Sequence, residues 1–446
     1  MGDRENYRRF SNLHIHVRDL RRKETPFRSI ITLNPIILYP MSERSIVIIG
    51  GGGTGAATAY DLSLRGYAVT LLERGELTSG TTGRHHGQLH SGARYALGDV
   101  RIARECMDET LILRRIAPNC MEYNQGLFLA LTEEDAGLAD EFVEACRAAT
   151  IPAEEIPISR ALAMESALNP AALRAVIVPD GTIDAYRLAM SFFAAARIRG
   201  ADIRTFTEAT EIERSGGCVT AVRALDLRSG AESRFPADVV VNCGGPWAGK
   251  IGSLAGIDVP LTAAPGSMVA VEGRLTDLVI SHLHRAGDGD IIVPQRKFSI
   301  IGSTQRKTDD PDGLAPPEDD IRLLLSRADQ LIPGFSSHPI RAAWSAARPL
   351  AGRSNDDGRN MSRDVSLIDH GKRDGLYGFF TIIGGKATVL RAMGEAAAAA
   401  VEGYLEGVAV DSGGGPGHEA GLRGAFTTAD LVLPSYRTFW KNGGRH

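Results

Sequence analysis

Cysteine is scarce in this chain, five in 446 residues (Cys106, Cys120, Cys146, Cys218 and Cys243), with no Cys-x-x-Cys pair. Such scatter leaves no thiolate cluster for zinc or iron–sulfur, so no metal site is expected. Each cysteine reads as a small buried apolar residue in a reducing cytoplasm. Long apolar runs are also missing: nothing approaches the roughly 18 to 20 residues that span a bilayer. The expectation is a soluble cytoplasmic protein, with peripheral contact to an inner membrane as the furthest attachment allowed. Charge of one sign is absent too, since 50 Lys and Arg face 54 Asp and Glu for a net charge of −4. That balance gives no footprint for nucleic acid.

The rest of the composition is ordinary for a globular protein, 43% hydrophobic and 23% charged. The length exceeds one ordinary core and argues for about two domains. Residues 1–40 are rich in Arg and His with acids interspersed. They match neither a targeting peptide nor the fold that follows, and read as an extension outside the core, with Met41 as the natural start. Residues 411–446, opening on Ser412-Gly413-Gly414-Gly415-Pro416-Gly417, read as a weakly structured tail. In between, Val100 to Ile116 and Glu134 to Ala149 have helical spacing, and Ile291 to Pro294 and Phe298 to Ile301 read as strands. The Ala396 to Ala400 run reads as part of a helix.

The informative segment starts at Ser45. Ser45-Ile46-Val47-Ile48-Ile49 is a buried strand, followed by Gly50-Gly51-Gly52-Gly53-Thr54-Gly55, a helical stretch to Arg65, a stop at Gly66, and a second strand, Ala68 to Leu72, ending at Glu73. A pyrophosphate reaches a helix N-terminus only where the backbone comes very close. Gly50 permits the tight turn, Gly52 the approach to phosphate, and Gly55 the packing of helix on strand. Glu73 accepts from ribose hydroxyls and repels a 2′-phosphate. Strand, turn, helix, strand and acid in register define a dinucleotide site.

The motif alone fits NAD and FAD equally. The loop after Glu73, containing Thr81, Thr82 and Gly83, is small, polar and glycine-rich, which suits the wrapping of a flavin's diphosphate and ribityl chain and favours FAD. Two later runs return to the same sheet: Ala237 to Val241, leading to Gly244-Gly245-Pro246-Trp247, and Gly378 to Ile383, leading to Gly384-Gly385-Lys386. The fold class expected is therefore α/β, a discontinuous Rossmann-like FAD-binding domain over 41–125, 180–255 and 345–410. An inserted mixed-sheet substrate domain takes 126–179 and 256–344.

The order of Gly50 to Gly55, His86-Gly87-Gln88-Leu89-His90-Ser91-Gly92-Ala93-Arg94-Tyr95, Val178-Pro179-Asp180-Gly181-Thr182-Ile183-Asp184, Ala347-Arg348-Pro349-Leu350 and Gly384-Gly385-Lys386 resembles the FAD-dependent glycerol-3-phosphate dehydrogenases. The likeness runs from about Ser45 to Pro434 and is strongest to the catalytic polypeptide of the anaerobic type. It implies a glucosamine-oxidase or D-amino acid oxidase-like flavin fold, FAD as cofactor, and oxidation of sn-glycerol 3-phosphate to dihydroxyacetone phosphate. On that likeness Arg94, Tyr95 and Lys386 hold the phosphate, and Arg348 reaches the substrate hydroxyls. A dianionic phosphate wants such cations. Oxidation at C2 requires removal of the hydroxyl proton as the hydride leaves, so a base titrating near neutrality is wanted, and His90 matches a family histidine there. Arg348 is placed to stabilise developing alkoxide charge. His85 and His86 read as loop structure.

Three departures qualify the likeness. Pro265-Gly266-Ser267-Met268 stands where many members carry a second histidine, and Ile383 and Val389 replace two hydroxyl residues. These leave room for another polyol phosphate, such as a tetritol phosphate. The cysteine-rich domain that follows in the anaerobic type is also not in this sequence, so electrons are expected to leave to quinone, to a separate iron–sulfur partner subunit, or to oxygen. A 2-hydroxy acid oxidoreductase and a flavin-holding scaffold without turnover stay open as alternatives.

Overall fold

The computed structural model describes residues 44–285, 289–354, 361, 364–407 and 427–441. The expected extension over residues 1–40 lies outside them. Two large sheets organise the rest. The first has six strands in the order Val365–Asp369, Phe379–Gly384, Val239–Asn242, Ser45–Ile49, Ala68–Leu72, Asp202–Arg204. All neighbours are parallel except the edge pair Val365–Asp369 with Phe379–Gly384. Its central strands are covered on both faces, which is why they read as unbroken apolar runs rather than as alternation. The helices Gly53–Leu64, Ala185–Ile198 and Leu390–Leu405 pack on it. The alanine run belongs to the last of these. A Cβ at Gly394 would stand 2.5 Å from the Ala57 carbonyl carbon, so small residues let the two helices meet almost backbone to backbone.

The second sheet has eight strands, ordered Ile340–Ala351, Leu261–Glu272, Phe298–Gly302, Ile291–Gln295, Val279–His282, Gly126–Ala130, Arg174–Val178, Glu154–Ile156. It is mixed, with Val279–His282 parallel to Gly126–Ala130. Helix Glu318–Leu331 buries Leu324, Ala328 and Leu331 against it. A small three-stranded sheet of Gln88–Leu89, Gly181–Ile183 and Met121–Glu122 carries the histidine-rich segment.

Several local expectations need correcting. The predicted helix Glu134 to Ala149 is two helices, Glu133–Gly137 and Ala139–Ala148. A capping box between Thr132 and Asp135 starts the first, and it ends at Gly137. Cys218 is exposed, while the other four cysteines are buried. Of the stretch read as a weakly structured tail, residues 427–441 dock on the core: Leu433 and Phe439 are buried, the Leu433 N–H donates to the Ile116 carbonyl (2.7 Å), and Thr428 donates to Asp61 (3.1 Å). No helix among the described residues is long and apolar enough to cross a membrane.

Candidate active site

The dinucleotide end is built where the strands of the first sheet terminate. Gly50 has φ +117°, and a Cβ there would stand 2.5 Å from the Cys243 carbonyl oxygen. A Cβ on Gly55 would stand 2.0 Å from the Gly50 carbonyl oxygen, so both glycines are demanded by the chain's own packing. Gly52 differs: its nearest neighbour would be Thr82 Oγ1 at 3.4 Å, leaving open space over the backbone. The Gly53 N–H, at the start of the first helix, donates to Thr82 Oγ1 (2.9 Å). Glu73 is fixed by backbone N–H donors on both oxygens, Gly51 to Oε2 and Gly75 to Oε1, each at 2.7 Å.

Gly50, Gly52, Glu73, Thr81, Thr82, Gly244, Gly384, Gly385 and Lys386 line one open cleft of about 1190 Å³, its mouth included. Two expected cofactor residues do not line it. Gly55 serves helix packing, and Gly83 shapes the loop, its N–H donating to the Thr78 carbonyl at 2.9 Å. Thr81 Oγ1 donates to the Ala347 carbonyl (2.6 Å), tying the loop to the strand that carries Arg348. An uncovered glycine backbone at a helix N-terminus, an anchored acid and a polar loop are what FAD requires, and the residues fit it.

Around Lys386, at the edge of this cleft, His90 and Tyr95 come together. The His90 and Tyr95 rings are 5.4 Å apart, and Lys386 Nζ lies 5.3 Å from the Tyr95 ring centroid, a cation over an aromatic face. His90 is held through its backbone: its N–H donates to Thr388 Oγ1 (3.1 Å), and its carbonyl accepts from Thr110 Oγ1 (2.7 Å). Asp180 fixes the same segment, accepting from the Ser91 N–H (2.7 Å), the Ser91 hydroxyl (2.6 Å) and Gln88 Nε2 (2.7 Å). Burial pushes the Asp180 carboxyl up, and these donors oppose that rise.

Arg94 and Arg348 flank this group, and each is already engaged. Arg94 Nη1 is 2.6 Å from Asp290 Oδ2 in a buried ion pair, with His284 Nε2 3.4 Å from the same oxygen. Burial would raise the Asp290 carboxyl, yet Arg94 and His284 hold it well below the ordinary range. Arg348 donates to the Thr304 carbonyl (3.2 Å) and to Ser303 Oγ. His86 stands between: its ring is 6.2 Å from that of His90, and burial, then His85, Arg348 and Arg94, push its pKa down to about 3. Burial likewise lowers His85 to about 4. His86, expected as loop structure, thus lies next to His90.

Sequence reading also passed over Asp290, Thr388, Gly266 and the positioning role of Asp180. Asp180 had a signal in its place in a quoted motif, and Gly266 in its place within the Pro265-Gly266-Ser267-Met268 departure. The replacements Ile383 and Val389 are both buried in the core, and the Thr388 hydroxyl sits beside Val389 in the site.

A glycine-turned parallel sheet with an anchored ribose acid, opening on a cluster of cations and histidines, defines a flavin-dependent oxidoreductase. The chain belongs to the FAD dependent oxidoreductase (DAO) family, whose model matches residues 45–400. It is similar to one subunit of the anaerobic glycerol-3-phosphate dehydrogenase of Escherichia coli K12, with 40% identity over 392 residues, 87% of this chain and 70% of that protein. The expected resemblance, fold class and cofactor are thus borne out. Among solved structures, glycine oxidase from Geobacillus kaustophilus superposes with a TM-score of 0.66 at 23% identity, over 83% of this chain and 96% of that one. Dithionite-reduced L-α-glycerophosphate oxidase from Mycoplasma pneumoniae with FAD bound gives 0.66 at 19%, over 81% and 95%. These two likenesses concern the fold.

Proposed function

We propose that the chain oxidises sn-glycerol 3-phosphate to dihydroxyacetone phosphate. The observation that carries this reading is the meeting of Lys386, Tyr95 and His90 beside the FAD cleft, with the Arg94 and Arg348 charges both acting on His86 next to them, together with 40% identity to a polypeptide of a glycerol-3-phosphate dehydrogenase. Lys386, Tyr95 and Arg94 bind the phosphate. Arg348 orients the C2 hydroxyl and stabilises the charge that develops as its proton leaves, and His90 takes that proton. When bound, FAD supplies the acceptor for the C2 hydride at its N5 atom. Alcohol oxidation thereby releases one hydride and one proton, and the electrons pass on to quinone or to a partner protein. With quinone as acceptor, the protein would be brought to a membrane surface.

The domain division that accompanies this reading has FAD-binding segments over 41–125, 180–255 and 345–410 and a substrate domain over 126–179 and 256–344. Because strand Ile340–Ala351 runs unbroken in the eight-stranded sheet, the last boundary is better drawn after Ala351.

The test is anaerobic bleaching of the bound flavin's absorbance. Glycerol 3-phosphate should bleach it, while glycerol and 2-hydroxyglutarate should not. Bleaching by 2-hydroxyglutarate alone would overturn the assignment and turn the cations into carboxylate ligands.

A further inference from the structure

Beside Glu73 the wall of the dinucleotide cleft contains residues from a third source. Arg74, Trp247, Pro311 and Asp312 all line it. Arg74 follows the ribose acid, Trp247 follows the Gly244 turn, and Pro311 and Asp312 lie on a segment hung from the eight-stranded sheet. That segment is anchored at its start, where the Thr308 N–H donates to the Ala263 carbonyl (3.0 Å). At its other end Asp312 gathers donors from the first sheet's side. Its Oδ1 accepts from Arg74 Nη2 (2.5 Å) and from Trp247 Nε1 (2.9 Å), and its Oδ2 accepts from Lys250 Nζ (3.0 Å). Lys250 also reaches Asp310 Oδ1 (3.1 Å). The Arg74 guanidinium lies over the Trp247 ring at 4.9 Å, and a Cβ on Gly80 would stand 3.2 Å from that ring, so the indole spans from the Gly244 turn to the loop that carries Thr81 and Thr82.

We propose that Thr308–Gly313 is a latch for FAD, which Asp312 closes by binding Arg74, Trp247 and Lys250 across the two sheets. Any one exposed ion pair contributes little. Here three donors share one carboxylate and Lys250 also holds Asp310, so all four contacts must break before the segment can swing from the cleft. The latch concerns retention of FAD and is independent of which substrate is oxidised.

The experiment follows release of FAD from the purified holoprotein by the recovery of free-flavin fluorescence, without any turnover. Asp312→Ala should speed release about tenfold, the equivalent of losing two or three such contacts. Raising salt from about 0.05 M to about 1 M should accelerate release in the parent chain more than in Asp312→Ala, because the latch is screened only where it exists. Lys250→Ala, outside the cleft wall, should show the same effect in smaller measure, which keeps the test valid if Asp312→Ala folds poorly. Asp309→Asn, an exposed acid on the same segment, should release FAD at the parent rate. The latch is refuted if both Asp312→Ala and Lys250→Ala stay within about twofold of the parent, the range expected of a lone surface pair, or if Asp309→Asn releases as fast as Asp312→Ala.

Discussion

A Cβ placed on Gly266 would stand 2.7 Å from both terminal nitrogens of Arg348 and 2.4 Å from the Thr304 carbonyl oxygen that Arg348 uses as an acceptor. The position where many relatives were expected to carry a histidine-containing stretch is therefore one where this chain makes room for a guanidinium. Gly266→Ala should push the Thr304 backbone as well as Arg348, so a lowered thermal transition is expected beside a kcat/KM reduced by about a hundredfold, as small misplacements of catalytic groups do. Gly266 does not line the FAD cleft, so flavin content should match the parent. Steady-state kinetics beside the visible spectrum separates the two, and an unchanged kcat/KM would remove Arg348 from the site.

Arg94 and Asp290 make a buried pair with side chains 10% and 2% exposed. Removing one partner leaves the other charge uncompensated, at a cost of about 3 to 5 kcal/mol. Asp290→Ala should lose that much stability in urea unfolding, whereas a change within experimental scatter would mean that Arg94 finds another counter-ion. The pH dependence has a fixed sign. The native Asp290 carboxyl titrates below its unfolded value of 3.8, so its contribution is complete above that pH and is lost as pH falls through the native pKa.

How much of this was legible follows from where each signal lives. The turn at Gly50 to Gly55, Glu73 and the returning strands at Val239 and Phe379 are local patterns, readable because a parallel strand buried on both faces must be apolar throughout. The order of the eight-stranded sheet was not readable, since its pairings, such as Val279–His282 with Gly126–Ala130, join distant segments with no local mark. The same holds for the site. His90, Tyr95 and Lys386 came from motifs, but Asp290 matters only because it meets Arg94 in space. His86 reads as loop structure in the sequence because a histidine's neighbours, not its sequence context, decide whether it is structural.

Those neighbours make a prediction of their own. His85 and His86 are neutral in the native chain, titrating at about 4 and about 3 against 6.5 when unfolded. Between those values the unfolded chain binds protons that the native one does not, so stability is full above 6.5 and falls as pH drops toward 4. A His86→Gln variant should show a shallower decline over this window in chemical denaturation. Parallel curves would mean that the ring is protonated in the native state.

Lys386→Ala and His90→Ala should separate binding from chemistry. Loss of the Lys386 charge should raise KM for a phosphorylated substrate by tenfold or more, about the 1.5 to 3 kcal/mol of a charge-assisted contact. His90→Ala should lower kcat by about a hundredfold or more with flavin still bound. Equal activity in both variants would dissolve the proposed site.

The glycines of the turn should divide into two kinds. At Gly50 a side chain meets the Cys243 backbone at 2.5 Å with φ at +117°, so Gly50→Ala damages the fold itself, and its thermal transition should drop whether or not FAD is present. At Gly52 the described chain offers no clash closer than 3.4 Å, so Gly52→Val should leave the apoprotein's melting temperature near that of the parent apoprotein. It should nonetheless purify colourless, because the branched side chain occupies the space the pyrophosphate needs. Melting curves of both apoproteins with flavin absorbance decide the matter. A yellow Gly52→Val protein would place the pyrophosphate elsewhere, since nothing else in this turn distinguishes Gly52 from a residue free to carry a side chain.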